Sequence, residues 1–333
     1  MLRCSMGTPE GRSDVTHLTV IDIGGTHARF GWVDSPVSGV RFVTVYPCSA
    51  HAGLEAVIAH YLAEHRHPVP AACAIGVATA VLGDRIAMTN RDWVFSIEEV
   101  RRRLGIAHFA VVNDFAALAL ALPTVGAADL TAVGGGTAVP GAPMALLGPG
   151  TGLGVSGLLS APGGAVPIAG EGGHATLSAA DERETRIIEV LRTRFGHVSA
   201  ERVLSGPGLV NLHQACCTRA GEPAPSLEPA EVNARALAGD VRCTEAVDLF
   251  FAFLGGVAGN VALMLGARGG VYIGGGIVPQ LGDRIHRSPF RERFEAKGRF
   301  RAYLEAIPIW LIAGSALSAL QGANRVLDAE PRG

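Results

Sequence analysis

Two short glycine turns carry the first chemical signal in this sequence. Gly24-Gly25-Thr26 and Gly150-Thr151-Gly152 combine residues that tolerate φ > 0 and lack a Cβ with one hydroxyl each. Such turns can aim backbone N–H groups at an anion, and the threonine adds a donor. Asp22, just before the first turn, could hold a hydrated Mg²⁺, an ion that prefers carboxylate and water oxygens. Arg29 lies just beyond the same turn. A third run, Gly274-Gly275-Gly276, comes after an apolar stretch and would let a flat group such as an adenine ring approach the backbone. Taken singly, each run reads as a bare turn in a chain with 44 glycines. Two of them at strand–strand junctions in similar halves argue for a clamp on a polyphosphate. No G-x-x-x-x-G-K-[ST] motif is present, and no G-x-G-x-x-G comes after the first strand. Gly134-Gly135-Gly136 lacks a strong preceding strand and reads as a surface loop.

A second set of residues is polar. Asn113-Asp114 stands between an apolar strand and an apolar helix. Asp114 there either caps the helix or presents a carboxylate at the carboxyl edge of a sheet, where ligands bind. Glu171-Gly172-Gly173-His174 bends so that a carboxylate and an imidazole can face one small polar ligand, or is a plain loop. Glu201 sits near a helix start, where it would also complement the helix dipole. Carboxylates accept from neighbouring hydroxyls while Asn and His donate, so Asn113, Asp114, Glu171, His174 and Glu201 make a plausible sugar-binding set.

These residues need elements to place them. Apolar or β-branched runs predict strands over 18–23, 28–33, 41–46, 73–78 and 109–112. Helical spacing marks 54–65 and 116–122, and Ser96-x-x-Glu99 has the form of a capping box. A second half repeats strand, glycine turn, strand over 144–159, with helices around 181–194, 199–203 and 246–265. A last strand at 309–313 and a helix over 317–326, which returns to the first domain, complete the reading. The pattern predicts an α/β protein with mixed sheets and a pseudo-twofold duplication.

Composition narrows the options. A chain of 333 residues suits two domains, and 48% hydrophobic with 17% charged residues leaves ample material to bury. A net charge of -2 offers no basic excess for nucleic acid or an anionic membrane. The Arg101-Arg102-Arg103 cluster reads as a solvated helix face. None of the six cysteines forms a C-x-x-C pair, Cys73 lies in a buried run, and the usage points to a reducing compartment, the cytoplasm. Residues 1–16 are polar without an apolar core and predict a disordered lead-in rather than a secretory signal. The uncharged stretch 249–267 is long enough to span a membrane. Its glycines (Gly255, Gly256 and Gly259 among them) and Asn260 favour a closely packed core helix instead.

The motifs together resemble bacterial glucokinases of the actin-like, hexokinase-related ATPase superfamily. The resemblance runs from about His17 to the C-terminal helix. It rests on Asp22-Ile-Gly-Gly-Thr26 with Arg29, Met88-Thr-Asn90-x-x-Trp93, Asn113-Asp114-Phe115, and Gly148-x-Gly-Thr-Gly-Leu-Gly154. It rests also on Gly170-Glu-Gly-Gly-His174, the specific string from His197 to Gly208, and Gly274-Gly-Gly-Ile-Val-Pro279. It implies two ribonuclease H-like (actin-like ATPase) domains with an interdomain active-site cleft: residues 17–124 plus 313–330, and residues 125–312. It also implies ATP and Mg²⁺ as cofactors, with phosphates between the first two glycine turns and adenosine backed by the third. Asp114 would be the general base, and glucose hydroxyls would be held by Asn113, Glu171, His174 and Glu201. A homodimer is the family's usual assembly. The zinc-binding cysteine cluster of the related ROK kinases is missing, which indicates the non-ROK branch. Two departures stand out: Ala80 replaces a usual proline in the loop after the fourth strand, and Ser315-Ala-Leu-Ser-Ala319 replaces a usual Pro-Gly. A kinase for another hexose or amino sugar is the alternative reading. A non-catalytic sugar sensor is a second, although 1–16 leaves no room for a DNA-binding helix-turn-helix.

Overall fold

A computed structural model describes residues 18–24, 26–34, 39–88, 93–162, 164–313, 320, 322, 323, 325 and 326. The expectations placed on residues 1–16, Gly25, Asn90 and 315–319 lie outside these. The chain divides into two compact units, Met1–Pro123 with Ala316–Gly333, and Thr124–Ser315.

The first unit is built on a five-stranded sheet. Its strands are β1 (Leu18–Ile23), β2 (His27–Val33), β3 (Arg41–Pro47), β4 (Ala72–Val77) and β7 (His108–Asn113), in the order β3-β2-β1-β4-β7. β1, β2 and β3 form an antiparallel meander, while β4 and β7 run parallel to β1. Every residue of β4 is buried, which is why it reads as a continuous apolar run. Helix α1 (Leu54–Glu64) buries Val57, Ile58 and Tyr61 against Phe30 and Ile75 of the sheet. A small hairpin, β5 (Arg85–Ala87) and β6 (Val94–Ser96), leads to α2 (Ile97–Leu104). Ser96 caps α2 as the box predicts, its hydroxyl accepting from Glu99 N–H at 3.0 Å. Arg101 and Arg103 pair with Glu98, Glu99 and Glu55 on the exposed side. Helix α3 (Asp114–Ala121) begins directly at the end of β7.

The second unit repeats that topology. Its strands are β8 (Leu130–Ala132), β9 (Met144–Pro149), β10 (Leu153–Ala161), β11 (Gly164–Gly170), β12 (Val271–Ile273) and β13 (Ile309–Ile312). The order is β11-β10-β9-β12-β13-β8: the same meander, the same two parallel strands, and one added antiparallel edge. Pro167, which cannot donate to a ladder, sits in the edge strand β11. The helices are α4 (Glu182–Phe195), α5 (Gly206–Ala220), α6 (Pro229–Leu237), α7 (Val241–Leu265), α8 (Ile277–Gln280), α9 (Phe290–Glu295) and α10 (Arg301–Glu305).

One expectation is corrected by the structure. The helix predicted over 199–203 is a single 3-10 turn, Ala200–Arg202. Ser205 must adopt an extended φ of -147° to cap α5, where its hydroxyl accepts from Gly208 N–H, so the turn cannot lengthen. Gly134-Gly135-Gly136 is an exposed loop, as expected, and it packs closely at one point. Gly136 has φ +105°, and a Cβ there would lie 2.6 Å from the Ile307 carbonyl carbon.

Helix α7 is the apolar stretch long enough to cross a membrane, and 67% of its apolar window is buried in the unit. It is the central helix of the second core, with Phe250, Phe251 and Leu254 fully covered. Its glycines divide by cause. A Cβ on Gly255 would stand 2.1 Å from Phe290 O, and one on Gly259 2.5 Å from Phe294 O, so both admit the backbone of α9. A Cβ on Gly256 would meet nothing within 4 Å. Thermal unfolding should therefore separate them. Gly255→Ala and Gly259→Ala should each cost about 1–3 kcal/mol through overpacking, while Gly256→Ala should gain up to about 1 kcal/mol from helix propensity.

Candidate functional site

In the first unit, the candidate residues leave the sheet along one edge. The parallel registers place Ile23, Val77 and Asn113 in one row across β1, β4 and β7. The first glycine turn, the loop after β4 and the Asn113-Asp114 pair therefore emerge side by side, with neighbouring strands about 4.8 Å apart. Asp22 and Arg29 are direct cross-strand partners in the β1–β2 register, and their side chains meet at 3.4 Å. Burial pushes the Asp22 carboxyl up from 3.8 to about 6, with the Arg29 guanidinium pulling the other way. The turn itself is tied down: Gly24 N–H donates to His27 O at 3.0 Å, and Cys48 N–H to Thr26 O at 2.9 Å. With the Gly24 amide used inside the hairpin, Thr26, which is exposed, is the described residue of this turn that can meet a ligand.

Asn113, not Asp114, caps α3. Its Oδ1 accepts from Phe115 N–H at 2.9 Å and Ala116 N–H at 3.3 Å. Its Nδ2 makes only a long contact of 3.4 Å to Thr79 O. The cap thus consumes the acceptor of Asn113 and leaves a donor facing the loop that contains Ala80. Asp114 becomes the first helical residue, partly exposed, with Oδ1 accepting from Phe115 N–H at 2.9 Å. Gly76 of β4 packs beside it; a Cβ there would be in ordinary contact with Asp114 Cα at 3.5 Å.

In the second unit, four segments converge on the start of β10. Gly150 N–H donates to Gly152 O at 2.8 Å, and Gly150 O accepts from Gly206 N–H at 2.8 Å. Leu153 N–H donates to Glu201 Oε2 at 2.9 Å. A Cβ on Gly152 would stand 2.5 Å from that same carboxylate oxygen. Gly150, expected as a phosphate donor, therefore has its N–H engaged within the turn. The amides of Thr151 and Gly152, with the exposed Thr151 hydroxyl, are the donors the turn can offer an anion. Gly275 has φ +78°, and a Cβ there would be 2.2 Å from Pro149 O. Contact with the end of β9 thus accounts for the middle glycine of the third turn, independent of any ligand.

Glu171 and His174 flank one 3-10 turn, Gly172–His174, and both are exposed. Residues three apart eclipse in this geometry, so the two side chains leave on one side. The glycines between them are required by contact: a Cβ on Gly173 would be 2.1 Å from Leu153 O, and one on Gly172 2.9 Å from Val155 Cβ. Ala200 N–H donates to Ala175 O at 2.9 Å, stitching the Glu201 segment alongside. Glu171, His174 and Glu201 are thus carried by neighbouring backbone around Leu153. The bracing amide of Gly206 is not singled out by sequence, although it lies inside the His197–Gly208 string; its signal is Ser205-Gly-Pro-Gly208, a helix start that must abut something.

A family model described as glucokinase matches residues 19–330. The chain belongs to the glucokinase family. It is 54% identical over 323 residues to a glucokinase of Aromatoleum aromaticum (strain DSM 19018 / LMG 30748 / EbN1), covering 96% of this chain and 97% of that one. It is 51% identical over 302 residues to a glucokinase of Chromobacterium violaceum (strain ATCC 12472 and synonyms), covering 90% and 86%. The crystal structure of a glucokinase from an Antarctic psychrotroph superposes with a TM-score of 0.85 at 30% identity, covering 94% of this chain and 99% of that one.

No group of three or more His, Cys, Asp or Glu side chains among the described residues could hold a metal ion. This glucokinase-family chain thus offers no all-protein cage among them. Asp22, a largely desolvated carboxylate, fits a Mg²⁺ that shares its shell with phosphate oxygens and water.

Because the folded Asp22 pKa is raised, its proton is held more tightly in the folded chain than in the unfolded one. The associated stability is complete below about pH 4 and is lost as pH climbs through about 6. Asp22→Asn should therefore gain stability relative to wild type between about pH 4 and about pH 7, by about 1–3 kcal/mol, in thermal melts without nucleotide. A constant difference across that range would contradict the burial argument. Glu201→Ala should leave Leu153 N–H without its acceptor, at about 1–3 kcal/mol. Hydrogen exchange at that amide should speed up sharply, whereas Glu201→Gln, which keeps an acceptor oxygen, should largely preserve protection.

Proposed function

We infer that this chain transfers the γ-phosphoryl group of ATP to the 6-hydroxyl of D-glucose, giving glucose 6-phosphate and ADP. What carries the reading is 54% identity to a glucokinase over nearly the whole of both chains. The placement of the family's motif residues at the carboxyl ends of the strands supports it.

In this reading Asn113 donates through Nδ2 to a sugar hydroxyl, its oxygen being held by the helix cap. Glu171, His174 and Glu201 hold the remaining hydroxyls, the carboxylates accepting and the imidazole donating. Thr26 and the amides of Thr151 and Gly152 meet the phosphates, and the run Gly274–Gly276 lies behind adenosine. Mg²⁺, held through water by Asp22, supplies charge compensation on the phosphates when bound.

Asp114 accepts the proton of the 6-hydroxyl as that oxygen attacks phosphorus. A carboxylate with an ordinary pKa near ~4 is a weak base toward an alcohol, so the proton moves late. Positioning and charge stabilisation then supply most of the rate. The backbone donors are fixed before reaction by the bonds to Glu201, Gly206 and His27, so they cost little reorganisation during it.

As a glucokinase, the protein would act in the cytoplasm at the first step of glycolysis, as a homodimer. The family resemblance supports these assignments, and buried free cysteines at Cys73, Cys216, Cys217 and Cys243 suit a reducing compartment.

The deciding experiment is glucose-dependent ADP release with Mg·ATP, run beside Asp114→Asn. Wild-type turnover is expected, with kcat in the variant reduced by about 10²–10⁴-fold and its melting temperature close to wild type. Near-wild-type kcat in Asp114→Asn would remove the base assignment, and no glucose turnover in the wild type would remove the substrate assignment.

A further inference from the structure

One glycine of α7 has no steric reason to be a glycine. Gly255 and Gly259 admit the α9 backbone, but Gly256 opens on empty space. A glycine inside a helix costs about 1 kcal/mol relative to alanine. The space it faces is a cavity of about 430 Å³ within the second unit. That volume falls in the range of small-molecule sites. Its wall is mainly apolar, with Val155 and Ile168 from β10 and β11, and Phe253, Val257 and Val261 from α7. Any side chain at position 256 would project into it.

The cavity also carries charge. Arg293 is committed to Glu184 and Asp181. Lys297, by contrast, makes a hydrogen bond from Nζ to Gly256 O at 3.0 Å and has no carboxylate within ion-pair distance among the described residues. Burial, and then the neighbouring Arg293, push its ammonium down from the ordinary lysine value, while Glu184, which also lines the cavity and is paired with Arg293, pulls the other way. An ammonium has three donors, so one backbone bond leaves two for a ligand.

We propose that this cavity is a binding site for a small amphiphilic monocarboxylate, its apolar body lying along Gly256 and its carboxylate on Lys297. The site is distinct from the residues assigned to glucose and ATP, and its measurement does not depend on that assignment. Its link to them is a shared wall: Gly170, Gly172, Ala175 and Ala200, which border the cavity, are in the segments that hold Glu171, His174 and Glu201.

The test is calorimetric titration of the full-length protein with octanoate, with 1-octanol and octylammonium as length-matched controls. Octanoate should bind saturably at one site, about ten-fold or more tighter than octanol, and octylammonium should be weaker than both. Lys297→Met should bring octanoate down to the affinity of octanol. Gly256→Leu, which fills the space without a clash at Cβ, should abolish binding of both while leaving glucose turnover at the wild-type level and the melting temperature at or above it. Absence of octanoate binding, equal affinity for octanoate and octanol in the wild type, or octanoate binding that survives Gly256→Leu would each overturn the proposal.

Discussion

The hydrogen bond from Leu153 N–H to the Glu201 carboxylate is the contact on which the second half-site depends. A cradle made of backbone amides works only if those amides are held still by something other than the ligand. In this chain the tie is a charged acceptor at 2.9 Å, stronger than a neutral one would be. It fixes the end of the Gly150–Gly152 turn, while Gly206 N–H fixes its beginning through Gly150 O. The same Leu153 presents its carbonyl to Gly173, so the turn that carries Glu171 and His174 is seated on the residue that anchors the Gly150–Gly152 turn. The Gly150–Gly152 turn and the Gly172–His174 turn therefore share one residue of β10, and a displacement of either is felt by the other.

The first unit solves the same positioning problem with a sheet row instead of a carboxylate brace. Ile23, Val77 and Asn113 are level in three parallel strands. The chain leaves that row as the first glycine turn, the loop with Thr79 and Ala80, and Asp114. Asp22 departs from the pattern of the second unit, where Gly148 and Gly154 are paired across the corresponding hairpin. A half-buried carboxylate beside a single arginine at 3.4 Å is an incompletely compensated charge. Such a group destabilises the fold at neutral pH. Its place just before the first glycine turn is what the proposed role for Asp22, as a carboxylate toward Mg²⁺, would account for.

Most of the fold is legible in the sequence because hydrophobic periodicity and glycine turns agree. β1, β4 and β7 are apolar runs with abrupt polar ends, and Asp22 and Asn113-Asp114 stand at those ends. What escapes has specific causes. β11 contains Pro167, which masks a strand, and α7 starts at Val241 because Asp240 caps a polar first turn that the apolar run from Ala246 does not announce. The 3-10 turn at Ala200–Arg202 has the look of a helix in sequence, since the competing cap at Ser205 lies beyond it and its effect is seen only in three dimensions. At the site, residue types point to Asn113 and Asp114 together, but not to which of them caps the helix. That choice decides which atoms remain for a ligand, and it is set by backbone geometry at Asn113, with φ -61° and ψ 144°, which composition does not encode.

The glycines show why residue counting stops short of function here. Gly275 is glycine because φ is +78° and Pro149 O is near. Gly173 and Gly255 are glycine because another backbone occupies the place of a Cβ. A Cβ on Gly152 would displace the Glu201 carboxylate from its place beside Leu153 N–H. Each of these reasons is internal to the fold, so none would change if the ligand were removed. Gly256 satisfies none of them: its backbone is helical, its surroundings are open, and its contact of note is the Lys297 ammonium on its carbonyl. When conformation and packing both fail to explain a costly residue, the remaining physical reason is the space itself, and space beside an incompletely neutralised cation is space for an anion.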